Sequence, residues 1–195
     1  IGNLDDTSNR LIETLKFVDL IYCEDTRRAS KLTNNFSIDT QLKSFFLGNE
    51  FKRKEEISQH LLEGKNIALI SDAGTPLISD PGNELLSYLI SNEHNIVSIP
   101  GPSSILTALT LSGFELNEFQ FLGFIPKAGK EKEQFVIKLL NSRMPSVCFT
   151  SSKRILKDLN YFEKIGLDSE IVICRELTKK FETIYRGTIS SLKDQ

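Results

Sequence analysis

The sequence predicts an α/β protein whose first half carries a parallel sheet. Three observations lead there. Short apolar runs alternate with helix-like amphipathic stretches, the pattern of right-handed βαβ crossovers. The run Ile67-Ala68-Leu69-Ile70-Ser71 lacks period-two alternation, which suits a strand buried on both faces. Loops rich in Gly and Pro follow the strands, at the carboxyl edge where open α/β sheets bind ligands.

Each element has its own signal. Gly2 to Thr7 reads as a loop entering a helix. Leu11, Leu15 and Val18 recur at helical spacing, with Ile12 flanking, and carry that helix to about Phe17. Asp19–Cys23 is a short strand. It ends in the charged cluster Glu24-Asp25-Thr26-Arg27-Arg28, and a helix follows through Leu32 to about Phe36. Leu42–Phe46 is a second strand. A polar, amphipathic helix runs from Phe51 through Ile57, Leu61 and Leu62, closed by Gly64. After the Ile67–Ser71 strand comes a loop from Asp72 to Ser79. Asp80 is then expected to cap a helix and Pro81 to occupy its first position. Leu85, Leu86, Leu89 and Ile90 mark that helix's core face. Asn95–Ile99 is expected as a further strand, ending in Pro100-Gly101-Pro102-Ser103-Ser104. Ile105, Leu106, Leu109 and Leu111 lie on the next helix.

The polar stretch Gly113–Glu118 marks a domain boundary. Beyond it, Phe119–Phe124 is a strand and Pro126–Glu133 a loop. Phe135, Val136, Leu139 and Leu140 form a helical face. Ser146–Thr150 is a strand, and Ser151–Arg154 starts a helix through Ile155, Leu156 and Leu159. Glu170–Cys174 is a strand and Phe181–Tyr185 a hairpin partner, with Arg186-Gly187 turning into a last short segment.

With 195 residues, 39% hydrophobic and 26% charged, the chain has the composition of a soluble globular protein of one or two domains. A net charge of −2 and a pI near 5.8 argue against broad, nonspecific nucleic-acid binding, though a local basic patch is compatible with them. Cys23, Cys148 and Cys174 sit in or beside apolar runs, an odd count that suggests free thiols in a reducing cytosol. His60 and His94 stand apart, so no metal site is expected. Apolar runs fall far short of a membrane span, so no membrane partner is expected. The opening at Ile1 leads us to expect a fragment whose preceding segment is absent.

If the first strands are parallel, the loops 24–28, 72–80 and 100–104 open on one edge. No Gly-x-Gly-x-x-Gly follows a strand and no Gly-x-x-x-x-Gly-Lys-Ser is present, which removes ordinary dinucleotide and triphosphate sites. Two isolated histidines leave no credible Ser–His–Asp set. What remains is a crevice of backbone amides and carbonyls, the hydroxyls of Thr75, Ser79, Ser103 and Ser104, and the carboxylate of Asp72. Such a lining suits a zwitterionic, amino-acid-like cofactor.

The same stretches carry a resemblance. Ile1-Gly2-Asn3-Leu4-Asp5-Asp6, Glu24-Asp25-Thr26-Arg27, Ser71-Asp72-Ala73-Gly74-Thr75-Pro76, Ser79-Asp80-Pro81-Gly82, Pro100-Gly101-Pro102-Ser103 and Arg175-Glu176-Leu177-Thr178-Lys179 occur in order. Together they resemble the small-subunit ribosomal RNA cytidine 2′-O-methyltransferases, a branch of the tetrapyrrole methylase superfamily. The likeness covers nearly the whole chain, and its Asp-Ala-Gly-Thr-Pro and Glu-Asp-Thr-Arg stretches separate this branch from the precorrin methylases.

The resemblance implies two α/β domains, 1–113 with a mostly parallel sheet and 114–195 with a mixed one. It implies a homodimer, cytoplasmic, with S-adenosylmethionine held between the domains and ribosomal RNA or the small subunit as substrate. Expected cofactor contacts are Asp72, Ala73, Gly74, Thr75, Pro76, Ile78 and Ser79 in one loop, and Ser103 and Ser104 in the next. Phe149, Thr150, Leu177 and Thr178 are expected to close over it from the second domain. Three departures stand out. The apolar strand ending in Thr-Pro that usually precedes Ile-Gly-Asn is missing, and the chain ends sooner than family members do. The family's Glu-Ser-Pro-His-Arg is here Thr150-Ser151-Ser152-Lys153-Arg154.

Transfer of a methyl to a ribose hydroxyl requires loss of that hydroxyl's proton, and Asp25 or Glu24 is the candidate base. The plainer reading is an Asp25–Arg27 pair capping the helix. RNA contacts are expected from Thr26, Arg27, Arg28 and Lys31 on one rim and from Lys127, Lys130, Lys132, Lys153, Arg154, Lys179 and Lys180 on another. Two other readings stand beside this one: a methylase of a small tetrapyrrole, and a cofactor-binding module without catalysis.

Overall fold

The computed structural model describes residues 2–193. They fall into two compact units, divided between Ser103 and Ser104 and described separately below.

In the first unit, Leu4–Asp6 makes one 3-10 turn, and the Ser8 hydroxyl then accepts from the Leu11 amide (3.2 Å) to cap α1 (Asn9–Phe17). There follow β1 (Leu20–Cys23), α2 (Thr26–Asn35), β2 (Gln41–Ser44), α3 (Glu50–Leu62), β3 (Ile67–Ile70) and α4 (Asn83–Ser91). The three strands form a parallel sheet in the order β2-β1-β3, with Ile21 opposite both Leu42 and Ala68. β1 is buried along its whole length, because helices cover both faces of the sheet. Leu20 and Tyr22 pack with Phe45, Ile57, Leu85 and Leu89. Ile21, pointing the other way, packs with Leu15, Val18 and Ile38. Glu56 on α3 reaches back to the sheet: its carboxylate accepts from the Tyr22 hydroxyl (2.9 Å), from Lys43 Nζ (2.6 Å) and from Arg53.

Two expectations fail here. α4 starts at Asn83, with Gly82 at φ +121° as its first flanking residue and no side-chain cap, so Asp80 and Pro81 remain in the loop. A Cβ on Gly82 would lie 2.7 Å from Leu77 Cδ2 and 3.1 Å from Leu69 Cδ2. The chain turns at the one residue that tolerates both the dihedral and the crowding. Asn95–Ile99 is not a strand: it has no ladder partner among the described strands, and Ile96 and Val97 are 43% and 59% exposed. An apolar run becomes a strand only beside a neighbour that takes its backbone hydrogen bonds.

The second unit contains α5 (Ser104–Ser112), β4 (Gln120–Phe124), α6 (Gly129–Leu140), β5 (Ser146–Phe149), α7 (Ile155–Lys164), β6 (Glu170–Arg175), β7 (Thr183–Thr188) and α8 (Ile189–Leu192). β4 and β5 pair in parallel, and β6 and β7 antiparallel. One core gathers Ile125, Phe135, Val136, Leu159, Phe162 and Ile189. The division between units precedes α5, because that helix makes its contacts with β5 and β6; the boundary expected at 113 lies one helix further on. α6 begins at Gly129, inside what was expected as a loop to Glu133.

Candidate active site

Three loops of the first unit meet at the carboxyl edge of its sheet. The Asp25 amide donates to Asp72 Oδ1 (3.0 Å), and Arg28 Nη1 lies 3.3 Å from Asp72 Oδ2. Thr75 Oγ1 donates to the Pro102 carbonyl (3.4 Å), and a Cβ on Gly74 would sit 3.7 Å from the same oxygen. The stretches 24–28, 72–76 and 100–102, far apart in sequence, are thereby tied together. Asp72 and Thr75 make the ties. Ala73 and Gly74 lend their carbonyls to Ser71 Oγ (3.4 and 3.3 Å). Ile78 and Ser79 are exposed just beyond Pro76. Gly74 adopts φ +80°, and the non-glycine residues Leu77 and Ser79 adopt φ 72° and 69°. Backbone strain of this kind is held only where surrounding structure fixes it, and it concentrates at functional loops.

Two neighbouring carboxylates have opposite environments. Asp25 caps α2: its carboxylate accepts from the Arg27 amide (2.9 Å), from Arg27 Nε (3.0 Å) and from Arg27 Nη2 (2.7 Å). Those bonds, with the guanidinium charge, pull it down to about 2. Glu24 is exposed overall but lines a small cavity with Leu69, Pro76 and Asp80. Partial burial, with Asp72, Asp80 and Asp25 nearby, raises its pKa against the weaker pull of Arg28. Asp80 is raised likewise, by burial and then by Asp72. At the end of β1, Asp25 is therefore a committed cap and Glu24 a carboxylate able to take a proton.

The second unit holds its expected contacts in two places. Phe149 ends β5, and the next residue, Thr150, donates its hydroxyl to Asp158 Oδ2 (2.8 Å). Asp158 Oδ1 also receives Lys132 Nζ (2.7 Å) and Arg154 Nη2 (3.2 Å), while Arg154 donates to the carbonyls of Ile125 and Pro126 (3.0 Å each). One buried carboxylate thus joins the loop after β4, the end of β5 and the start of α7. Leu177 and Thr178 lie in the β6–β7 connection, Leu177 buried. Thr178 (φ 66°) and Glu176 (φ 51°) are left-handed, and the Thr178 amide donates to Glu182 Oε2 (2.6 Å). The Thr178 hydroxyl oxygen is buried with no partner among the described residues. Such an orphan is uncommon in a folded chain and fits a ligand atom at that point.

The expected RNA contacts divide. Thr26, Arg27 and Arg28 open α2, with both guanidiniums exposed but already paired. Lys153 is exposed, and Lys179 pairs with Glu176 (3.2 Å). Arg154 is spent on carbonyls and Asp158. Lys132 does not lie on a rim: α6 carries it inward, with its ammonium 4.4 Å from the Tyr161 ring centroid. Ser103 and Ser104 lie at the division of the units, Ser104 opening α5. Asp80 and Asp158 escaped the sequence reading as site residues. Asp80 was absorbed into a cap, whereas the i,i+4 spacing of Arg154 and Asp158 was a usable signal.

The sequence pattern of the Tetrapyrrole (Corrin/Porphyrin) Methylases matches residues 1–193. The chain is 40% identical over 189 residues to Ribosomal RNA small subunit methyltransferase I of Halalkalibacterium halodurans (97% of this chain, 65% of that protein). It is 42% identical over 193 residues to the protein of that name from Bacillus subtilis (98% and 66%). The Thermotoga maritima protein is 40% identical over 190 residues (97% and 85%). The chain thus spans about two-thirds of the first two relatives. Among solved structures, the cobalamin biosynthetic enzyme cobalt precorrin-4 methyltransferase superposes with a TM-score of 0.72 at 17% identity (99% of this chain, 84% of that one). Uroporphyrin-III C-methyltransferase from Thermus thermophilus, solved with S-adenyl homocysteine, gives 0.65 at 13% identity (99% and 86%). With a family pattern matched almost from end to end, the chain belongs to the Tetrapyrrole (Corrin/Porphyrin) Methylases.

Proposed function

We propose that this chain is the greater part of an S-adenosylmethionine-dependent methyltransferase that modifies the ribose 2′-hydroxyl of a cytidine in small-subunit ribosomal RNA. The observation that carries this reading is the 40–42% identity, over 97–98% of the chain, to proteins named as ribosomal RNA small subunit methyltransferases. The strand-end loops support it with a lining suited to an amino-acid-like cofactor. The motif resemblance supports a cytoplasmic homodimer.

In this reading Asp72, Ala73, Gly74, Thr75, Pro76, Ile78, Ser79, Ser103 and Ser104 hold the cofactor. Phe149, Thr150, Leu177 and the orphan hydroxyl of Thr178 contact it as well. Bound S-adenosylmethionine supplies a methyl group already activated as a sulfonium. The protein's task is alignment, which accounts for about 7–11 kcal/mol in well-oriented reactions. Glu24, with its raised pKa, accepts the hydroxyl proton, and Asp25 holds the start of α2. Thr26, Arg27, Arg28, Lys153 and Lys179 contact the RNA. Arg154 shapes the loop they flank.

The test uses the intact protein, unmodified small subunits and radiolabelled donor. Label mapped to a cytidine ribose is the expected result. Donor binding with no transfer would select a non-catalytic module. A change in visible absorption with a tetrapyrrole, together with its methylation, would select a small-molecule methylase.

A further inference from the structure

β4 is irregular. In a regular strand, adjacent residues point to opposite faces. Phe121, Leu122 and Phe124 nonetheless all line one groove. The register against β5 shifts between Phe121 and Phe124, and Gly123 takes φ +68°. A bulge of this kind re-aims a side chain. What it re-aims is a ring left 58% exposed. That ring is nonetheless held in place: its centroid is 5.3 Å from that of Phe149, which in turn lies 5.0 Å from Phe121.

The groove beside these rings measures about 370 Å³ and lies wholly within the second unit. Its lining includes Phe121, Phe124 and Pro126 and, on α6, Glu131, Gln134 and Lys138. Those α6 residues share one helix face, at spacings of three and four. Lys127 and Lys130, adjacent in sequence to Pro126 and Glu131, are exposed. Aromatic rings, an amide with donor and acceptor, a carboxylate and the Lys138 ammonium match the parts of one nucleotide. Every base has a face that stacks on aromatic rings, and phosphates take the cations. A carboxylate accepts from the exocyclic amino group of cytosine, and an amide pairs with adenine.

We infer that this groove is a stacking site for one unpaired base of an RNA, preferring bases that carry an exocyclic amino group. The inference rests on the reading that the substrate is RNA. It adds a site to that reading, lined by second-unit residues that are not among the proposed donor contacts. Glu131 sets the preference because it offers only acceptors, which leave uracil without a matching donor at its 4-position.

The test is fluorescence anisotropy with labelled oligo(C), oligo(A) and oligo(U) on the intact protein, alongside subunit methylation and donor binding. Phe124→Ala should weaken oligo(C) and oligo(A) binding about tenfold and raise KM for subunits, with a smaller change in donor affinity, since Phe149 packs on the lost ring. Phe124→Tyr should bind as the native protein does. Glu131→Gln should erase the preference over oligo(U). Native protein that methylates subunits, with Phe124→Ala folded and unchanged in KM and in oligonucleotide affinity, overturns this inference alone. So does sedimentation showing that Phe124→Ala splits a dimer, since a second copy then covers the groove. Native protein that neither binds nor methylates RNA overturns the underlying reading, and this site with it.

Discussion

Lys132 Nζ lies 2.7 Å from Asp158 Oδ1, with the two side chains 6% and 1% exposed. Neither charge is solvated: Asp158 is also held by Arg154 and the Thr150 hydroxyl, whereas the Lys132 ammonium has Asp158 and the Tyr161 ring. Removing one partner of a buried pair typically costs about 3–5 kcal/mol, because the other charge is stranded. Lys132→Ala should therefore lower the urea midpoint sharply. Lys132→Met combined with Asp158→Leu should recover much of the loss. A double variant no better than the single would show that this pair is not what holds the loops after β4 and β5.

The contrast between Glu24 and Asp25 gives a kinetic prediction. A base must be unprotonated, so the transfer rate should rise with pH through the titration of Glu24, which burial and the neighbouring carboxylates raise above a glutamate's usual value. Glu24→Gln should cut kcat by about 10²–10⁴-fold and remove that limb of the profile. Asp25→Asn keeps a cap acceptor but loses the guanidinium pair. Its effect should appear in thermal stability, with the pH profile unmoved. An intact acid limb in Glu24→Gln would assign the proton elsewhere.

Gly82 is required by its dihedral and by its neighbours. Gly82→Ala should destabilise the protein by about 2–3 kcal/mol in urea titrations. Because α4 starts there, donor affinity should also fall through a shifted 72–82 loop. An alanine variant of native stability would mean that the turn re-forms at no cost.

Glu56 predicts acid sensitivity in the first unit. Burial raises its pKa, but hydrogen bonds from Lys43, Arg53 and Tyr22 outweigh this and bring it from 4.5 to about 2. In the unfolded chain the same carboxylate binds its proton first, so its contribution is complete above the unfolded value and drains away as pH falls from 4.5 towards 2. Urea midpoints measured across that window should drop steeply for the native protein and less for Glu56→Gln. Equal slopes would place the acid sensitivity elsewhere.

How much of this was legible in the sequence depended on the range of each interaction. β1 and β3 were readable because unalternating apolar runs carry their own signal, and the meeting of 24–28 with 72–76 followed from parallel topology; 100–102 joins them through Thr75, not at the end of a strand. Helix starts were harder. Pro81 looked like a first helical residue, but the dihedral available at Gly82 and its contact with Leu77 moved the start to Asn83. Asn95–Ile99 has a strand's composition without a strand's neighbour, which no local pattern reports. Lys132 was misplaced because surface lysines are the rule, and only the position of Asp158 in space makes an inward one stable. Phe124 was hidden for a similar reason, since a bulge breaks the alternation from which its direction would be read.

Cys23 closes β1, almost sealed from solvent, with its thiol pushed up to about 11 by burial and by Asp72 and Asp25. It is thus doubly protected from alkylation, by access and by protonation. In a Cys148→Ser, Cys174→Ser background, the rate at which a maleimide consumes this thiol becomes a clock for excursions that pull the central strand away from its neighbours. The chain carries its own opening reporter beneath the crevice, and a ligand that clamps the loops above it should slow that clock.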